Sequence, residues 1–268
     1  MQLARRLMGL FFLLDCSFVV QASECVKTVR WNDDPPYNLR TADGDMSGIT
    51  IDLVREALLR INCTAQFVEM PWARGLLSLQ KGRLDILPGA LRNKEREAFA
   101  YFSLPVNRSP NVLFVGKTAA NKRPINQLSD LIGSDFRLGA QIGVTYSEAY
   151  QTLMQQPDFA AHVVLINHRR AAWRMIEAGR LDGLIADEIT GLMELEQLGL
   201  SEVITRNGLI VSGDAAGFAL SKTSLSEDFV SRFDLALQSM FADGSYQRIM
   251  QNYLPCEVSV ERLGCVQP

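Results

Sequence analysis

Arg96 and Asp187 are the residues whose types and settings most directly offer chemistry, because each stands just beyond a copy of one tetrapeptide. Gly82-Arg83-Leu84-Asp85 leads through Ile86-Leu87-Pro88-Gly89 to Arg96, and Gly179-Arg180-Leu181-Asp182 leads through Gly183-Leu184-Ile185-Ala186 to Asp187. An arginine can hold a carboxylate through two parallel hydrogen bonds, and an aspartate can accept an ammonium. Further candidates lie near them. Gly143-Val144-Thr145 reads as a turn opening a helix, whose free N–H groups can receive an anion. Trp72 and Tyr37 offer aromatic walls, and Arg74 adds a second cation. Together these groups describe a cleft for a small zwitterion. Each also has a plainer reading. Arg96 could belong to a solvated charged helix and Asp187 could cap the helix that follows. Trp72 and Tyr37 could be core, and Arg74 a surface charge.

The elements that must position these groups follow from periodicity. A helix ending in glycine and continuing into a short apolar run predicts a left-handed stop followed by a buried parallel strand. The tetrapeptide alone could be just such a turn used twice. Its recurrence is too widely spaced for a solenoid and suits two α/β lobes. Strands are expected at 26–31, 64–69, 83–87, 136–141, 162–166 and 181–186, alternating with helices, which implies parallel sheets. Thr50 is the expected cap of a helix carrying Ile51, Leu53, Val54 and Leu58, and Pro71 opens the next. The pattern breaks near 105–110. The closing helices, 227–241 and 246–254, have no strands of their own and are expected to cover the first lobe. Two crossings, near 107–112 and 209–214, would then join lobe 1 (23–108 and 213–268) to lobe 2 (109–212). In open α/β sheets ligands bind beyond the carboxyl ends of strands, where each candidate lies.

The composition is that of a globular chain, 47% hydrophobic and 21% charged over 268 residues. A formal net charge of −3, with no basic stripe carrying interleaved aromatics, gives no support to nucleic-acid binding. Arg5 and Arg6 precede the apolar run 7–14, and Val20-Gln21-Ala22 offers a small-residue cleavage site, so residues 1–22 read as a secretory signal peptide. Cys16 would suit a lipoprotein, but Asp15 stands where a small residue is needed. Cys25, Cys63, Cys256 and Cys265 remain beyond that leader, an even number that favours disulfides in an exported chain. Cys25 and Cys63 begin neighbouring parallel strands and are expected to pair. Cys256 and Cys265 can close a local loop. No Cys/His spacing indicates a metal, and no cofactor is expected.

The joint order of motifs resembles the periplasmic amino-acid-type solute-binding proteins, family 3. Pro35-Pro36-Tyr37, Gly48-Ile49-Thr50-Ile51-Asp52-Leu53, the first tetrapeptide, Glu95-Arg96 and Phe102-Ser103-Leu104-Pro105 carry it first. Gly143-Val144-Thr145, the second tetrapeptide, Ala186-Asp187-Glu188 and Phe241-Ala242-Asp243-Gly244-Ser245-Tyr246 continue it. The resemblance implies a type II periplasmic-binding-protein fold of two mainly parallel α/β lobes. It implies a monomeric clamp that delivers a small ligand to the membrane subunits of an ABC importer. It assigns Arg96 and Thr145 to the ligand carboxylate, Asp187 to its amino group and Trp72 to an aromatic wall. The chain departs from the family at Pro88, Gly89 and Leu91, where hydroxyl residues are common, and at Asp34, where an aromatic is. These leave room for a dicarboxylate, a peptide or another small anion. Two alternatives share the fold: an exported cyclohexadienyl (prephenate) dehydratase using Glu188 or Glu95 as general acid, and a stand-alone sensor.

Overall fold

The computed structural model describes residues 24–120, 124–254 and 256–265; the expected leader, 1–22, lies outside them. In chain order the principal strands are β1 (Cys25–Trp31), β2 (Cys63–Glu69), β3 (Ile86–Ala90), β4 (Ala100–Phe102), β5 (Asn111–Gly116), β6 (Leu138–Gln141), β7 (Val163–Ile166), β8 (Gly183–Asp187), β9 (Ile204–Ser212) and β10 (Gly217–Ser221). They form two five-stranded sheets, ordered β2-β1-β3-β10-β4 and β9-β5-β8-β6-β7. In each sheet four strands share a direction and one runs against them: β10 in the first, β5 in the second. The reversed strand is the one entering from the other lobe. The sheets are therefore mainly parallel, with the exception made by the crossings.

The repeated tetrapeptide is a fastening device. Gly82 and Gly179 take positive φ values of 66° and 65°, which glycine adopts without steric cost. The next amides turn back onto the preceding helix, Arg83 N to Ser78 O at 2.9 Å and Arg180 N to Met175 O at 2.7 Å. The aspartate then reaches sideways. Asp85 accepts from the amide and hydroxyl of Thr28 at 2.8 Å each, and Asp182 accepts from the amide of Arg137 at 2.8 Å. Residues 83–85 are thus used in closing the helix, and the strands start later than periodicity predicts, at Ile86 and Gly183.

Helices α1 (Ile49–Arg60) and α2 (Trp72–Gln80) flank the first sheet, and α3 (Lys94–Glu97) is a single turn. The second lobe carries α4 (Glu148–Met154), α5 (Arg169–Glu177) and α6 (Glu188–Gln197). The closing helices α7 (Glu227–Ala242) and α8 (Ser245–Gln251) bury Phe229, Phe233, Met240 and Tyr246 against Leu53, Val54 and Leu58 of α1. Alternation along β5 divides the other core: Leu113 and Val115 face Phe136 and Tyr146, while Val112 and Phe114 face Trp173. Capping differs from expectation at α1, where Gly48 rather than Thr50 precedes the first turn. No helix among the described residues is long and apolar enough to cross a membrane.

The crossings run side by side. Val106 N donates to Ala216 O at 2.9 Å and Ala216 N to Asn107 O at 2.8 Å. Beyond α8 the tail forms a small hairpin closed by Cys256–Cys265, and Leu263 O accepts the amide of Arg108 at 3.0 Å. Cys25 and Cys63 are register partners in β1 and β2 and are joined with Cα atoms 4.5 Å apart. That staple lies at the strand ends opposite those that carry the cleft.

Candidate functional site

A cavity of about 170 Å³ opens between the lobes, where the carboxyl ends of β1, β3 and β8 converge. Six of the sequence-predicted site residues line it: Tyr37, Trp72, Gly89, Arg96, Thr145 and Asp187. Arg74 does not. It is exposed on α2 and absent from the lining, because the helix turns its Trp72 end and not its outer face toward the cleft. Glu188 and Glu95 also stand outside the lining; Glu188 pairs with Arg206, and Glu95 is exposed.

Arg96 is buried, with 5% of its surface exposed, so it is not part of a solvated helix face. Asn93 caps the short helix α3 by accepting the Arg96 amide at 2.8 Å, and this turn directs the guanidinium inward. It donates to Leu91 O and, across the cleft, to Gly143 O, both at 2.9 Å. Burial lowers its pKa, partly offset by the charge of Glu95. Trp72 Nε1 donates to the same Gly143 carbonyl at 2.9 Å, and Asn93 Nδ2 to Thr145 Oγ1 at 3.0 Å. The expectation that Gly143-Val144-Thr145 opens a helix is corrected here. Ser147 caps α4, which starts at Glu148, and the glycine turn presents a carbonyl to the opposite lobe. Gly89 has φ 72° and is skipped in the β3–β10 register, where Phe218 pairs with Pro88 and Gly217 with Ala90. The proline and the bulge end the ladder beside the cleft.

On the second lobe Asp187 caps α6, its Oδ1 accepting the Thr190 amide at 2.9 Å, while it also lines the cavity. Burial raises its pKa against the stabilising Thr190 amide. Tyr37 is buried, and burial together with the charge of Asp187 pushes its pKa well up. Ser109 lies close enough to act on both groups, yet its hydroxyl makes no hydrogen bond of normal geometry. The same holds for Tyr37 Oη, Thr190 Oγ1, Asn32 Oδ1 and Asn38 Oδ1, all buried and all on cavity-lining residues. Buried polar atoms are ordinarily satisfied. Here five that lack a hydrogen bond of normal geometry among the described residues belong to the walls of one space.

Residues 28–255 match the family model of the bacterial extracellular solute-binding proteins, family 3. The chain belongs to that family. It is 22% identical over 241 residues to the histidine-binding periplasmic protein of Salmonella typhimurium, covering 86% of this chain and 88% of that one. With the L-arginine-binding protein of Pseudomonas aeruginosa identity is 24% over 231 residues, covering 84% and 85%. Among solved structures, an ancestral arginine-binding protein bound to arginine superposes with a TM-score of 0.74 at 23% identity, covering 85% of this chain and 98% of that one.

Two lining residues of this solute-binding protein were not singled out by sequence reasoning. Arg169 starts α5 just past β7 and is held, partly buried, between Asp34, at 2.5 Å across the cleft, and Glu194, at 2.7 Å. Burial opposes its charge, but the two carboxylates outweigh it and hold its pKa above the ordinary value. The rule of looking past strand ends points to it, provided it is applied to β7 as well. Arg30 sits near the end of β1 and is 6% exposed. A charged residue within a buried parallel strand is its only sequence signal. Among the described residues no group of His, Cys, Asp and Glu could hold a metal.

Proposed function

We propose that this protein is an exported carrier that captures an amino-acid-like zwitterion between its lobes and delivers it to the membrane subunits of an ABC importer. The observation that carries the reading is the convergence, with Arg96 from one lobe and Asp187 from the other, of five buried polar atoms that lack a hydrogen bond of normal geometry among the described residues. Such a site is costly to bury dry and is completed by a polar guest. Arg96 and Thr145 would take the carboxylate, Asp187 the ammonium, and Trp72 the apolar part. Tyr37 would supply a polar contact through its hydroxyl as well as a wall, and Gly89 would let the ligand approach the backbone. Residues 23–108 with 213–268 and residues 109–212 would move as the two halves of the clamp, in the periplasm, after removal of 1–22. The relatives named as histidine- and arginine-binding proteins support a carrier of amino acids.

A thermal-shift screen over amino acids, polyamines, peptides and organic acids tests this. A ligand at 100 times its Kd stabilises by ~2.7 kcal/mol, and the true ligand should also compact the protein in small-angle scattering. Incubation with prephenate in the same series should give no product. Turnover would replace the carrier with an enzyme, and no shift from any class would remove the capture reading.

A further inference from the structure

Arg30 is a buried cation with no anion of its own among the described residues. Its Nε donates to Met70 O at 3.1 Å, and its terminal nitrogens make no other hydrogen bond or ion pair there. Burial lowers its pKa to about 10, with Asp34 opposing and Arg169 adding to the effect, so it stays protonated at neutral pH. Asp34 is already committed to Arg169. Space for Arg30 is built into α2. A Cβ on Gly75 would lie 2.6 Å from Leu87 Cδ1 and 2.8 Å from Arg30 Cδ, so the helix gives up a side chain where both the leucine and the arginine pass. The guanidinium carbons of Arg30 and Arg96 lie 5.3 and 5.7 Å from the Trp72 ring centroid, which brings two cations to one wall.

The charges facing the cavity can be compared. Arg169 engages both Asp34 and Glu194, and Asp214 lines the cavity from an exposed position. Among the described residues the only hydrogen bonds of the Arg30 and Arg96 side chains on the first lobe go to backbone carbonyls, with no carboxylate in contact, and Asp187 on the second lobe has no cation in contact. A buried charge needs a partner to offset its desolvation. A basic amino acid would bring a further cation to the two already there, and a neutral amide would leave Arg30 uncompensated. A ligand with two carboxylates and one ammonium leaves none of the three without a partner.

Resting on the carrier reading above, we propose that the cleft selects an acidic amino acid. Arg30 binds the side-chain carboxylate beside Arg96 on the α-carboxylate, and Asp187 holds the ammonium. Arg30 is then a ligand-binding and specificity-determining residue.

Calorimetric titration of the exported protein with L-glutamate, L-aspartate, L-glutamine, L-asparagine, L-arginine and L-histidine tests the assignment. An acid should bind at least about tenfold tighter than its amide, since charge-assisted hydrogen bonds are lost with the amide. Arg30→Gln should lower affinity for the acid by a similar factor and bring the acid-to-amide ratio close to one. Thermal melting without ligand checks that the variant folds. If it does not fold, the ranking of the six ligands on the parent protein decides alone. Equal binding of acid and amide, preference for arginine or histidine, or an unchanged ratio in a folded Arg30→Gln would each overturn the proposal while leaving amino-acid capture standing. If none of the six binds and the broader screen finds no zwitterion, capture and selectivity fall together.

Discussion

Asp34 of the first lobe and Arg169 of the second meet across the cleft at 2.5 Å, and Glu194 grips the same guanidinium from behind at 2.7 Å. The chain thus closes its own cleft with a charge pair, at a place where the family resemblance leads one to expect an aromatic. Asp34→Asn keeps the shape and removes the charge. Arg169 would keep Glu194, so the lobes should fold normally but close less completely. We expect a loss of about 1–3 kcal/mol for the charged hydrogen bond in urea unfolding and a larger radius of gyration without ligand. An unchanged radius would show that the pair does not hold the lobes.

Arg96→Lys keeps a charge but loses the planar fork that now spans from Leu91 O to Gly143 O. Binding of whichever ligand the screen returns should weaken about tenfold or more. Asp187→Asn in the same titration should hurt only ligands that carry an ammonium. If Arg96→Lys folds and binds like the parent, the site assignment fails.

Acidity provides a separate handle on Asp187. Burial raises its pKa, so the folded protein keeps a proton at pH values where the unfolded chain has released it. The contribution to stability therefore falls as pH rises from the ordinary value of 3.8 through the raised one, and then levels off. Asp187→Asn should remove that decline and make the ligand-free protein more stable at neutral pH. Urea midpoints of both proteins at about pH 4 and about pH 7 check this, by the same linkage; parallel pH dependence would refute it.

Cys25 and Cys63 are 38 residues apart in sequence and close a loop across the start of β1 and β2. Replacing both with serine should cost about 2–4 kcal/mol. Because the bond sits at the strand ends opposite the cleft, ligand affinity should change less than twofold (about 0.4 kcal/mol). Calorimetric titration beside chemical unfolding separates the two effects.

Much of the architecture was legible because its signals are local. Gly82 and Gly179 stop helices, and residues past strand ends fall at the cleft. Other parts depended on side chains distant in sequence. The burial of Arg96 requires the inward turn of α3, and the exposure of Arg74 depends on how α2 is rotated about its axis. Thr145 shares the cleft without sitting in a helix, because Ser147, further along the chain, caps α4 by accepting the Tyr150 amide. Arg30 and Arg169 gave weak signals, since nothing local distinguishes a buried arginine from a surface one.

The tail hairpin changes the mechanics of the crossing. Arg108 is held by Leu263 O, while its neighbour Asn107 pairs with Ala216, so the pivot is a junction of three chain segments instead of two. In the proposed clamp such a joint would behave like an axle in a collar: rotation about the Asn107–Ala216 pair would spare the Arg108 contact, whereas sliding of one lobe past the other would break it. The proposed closure would thereby be confined to one arc, with the short loop tied by Cys256–Cys265 as the collar that sets its direction.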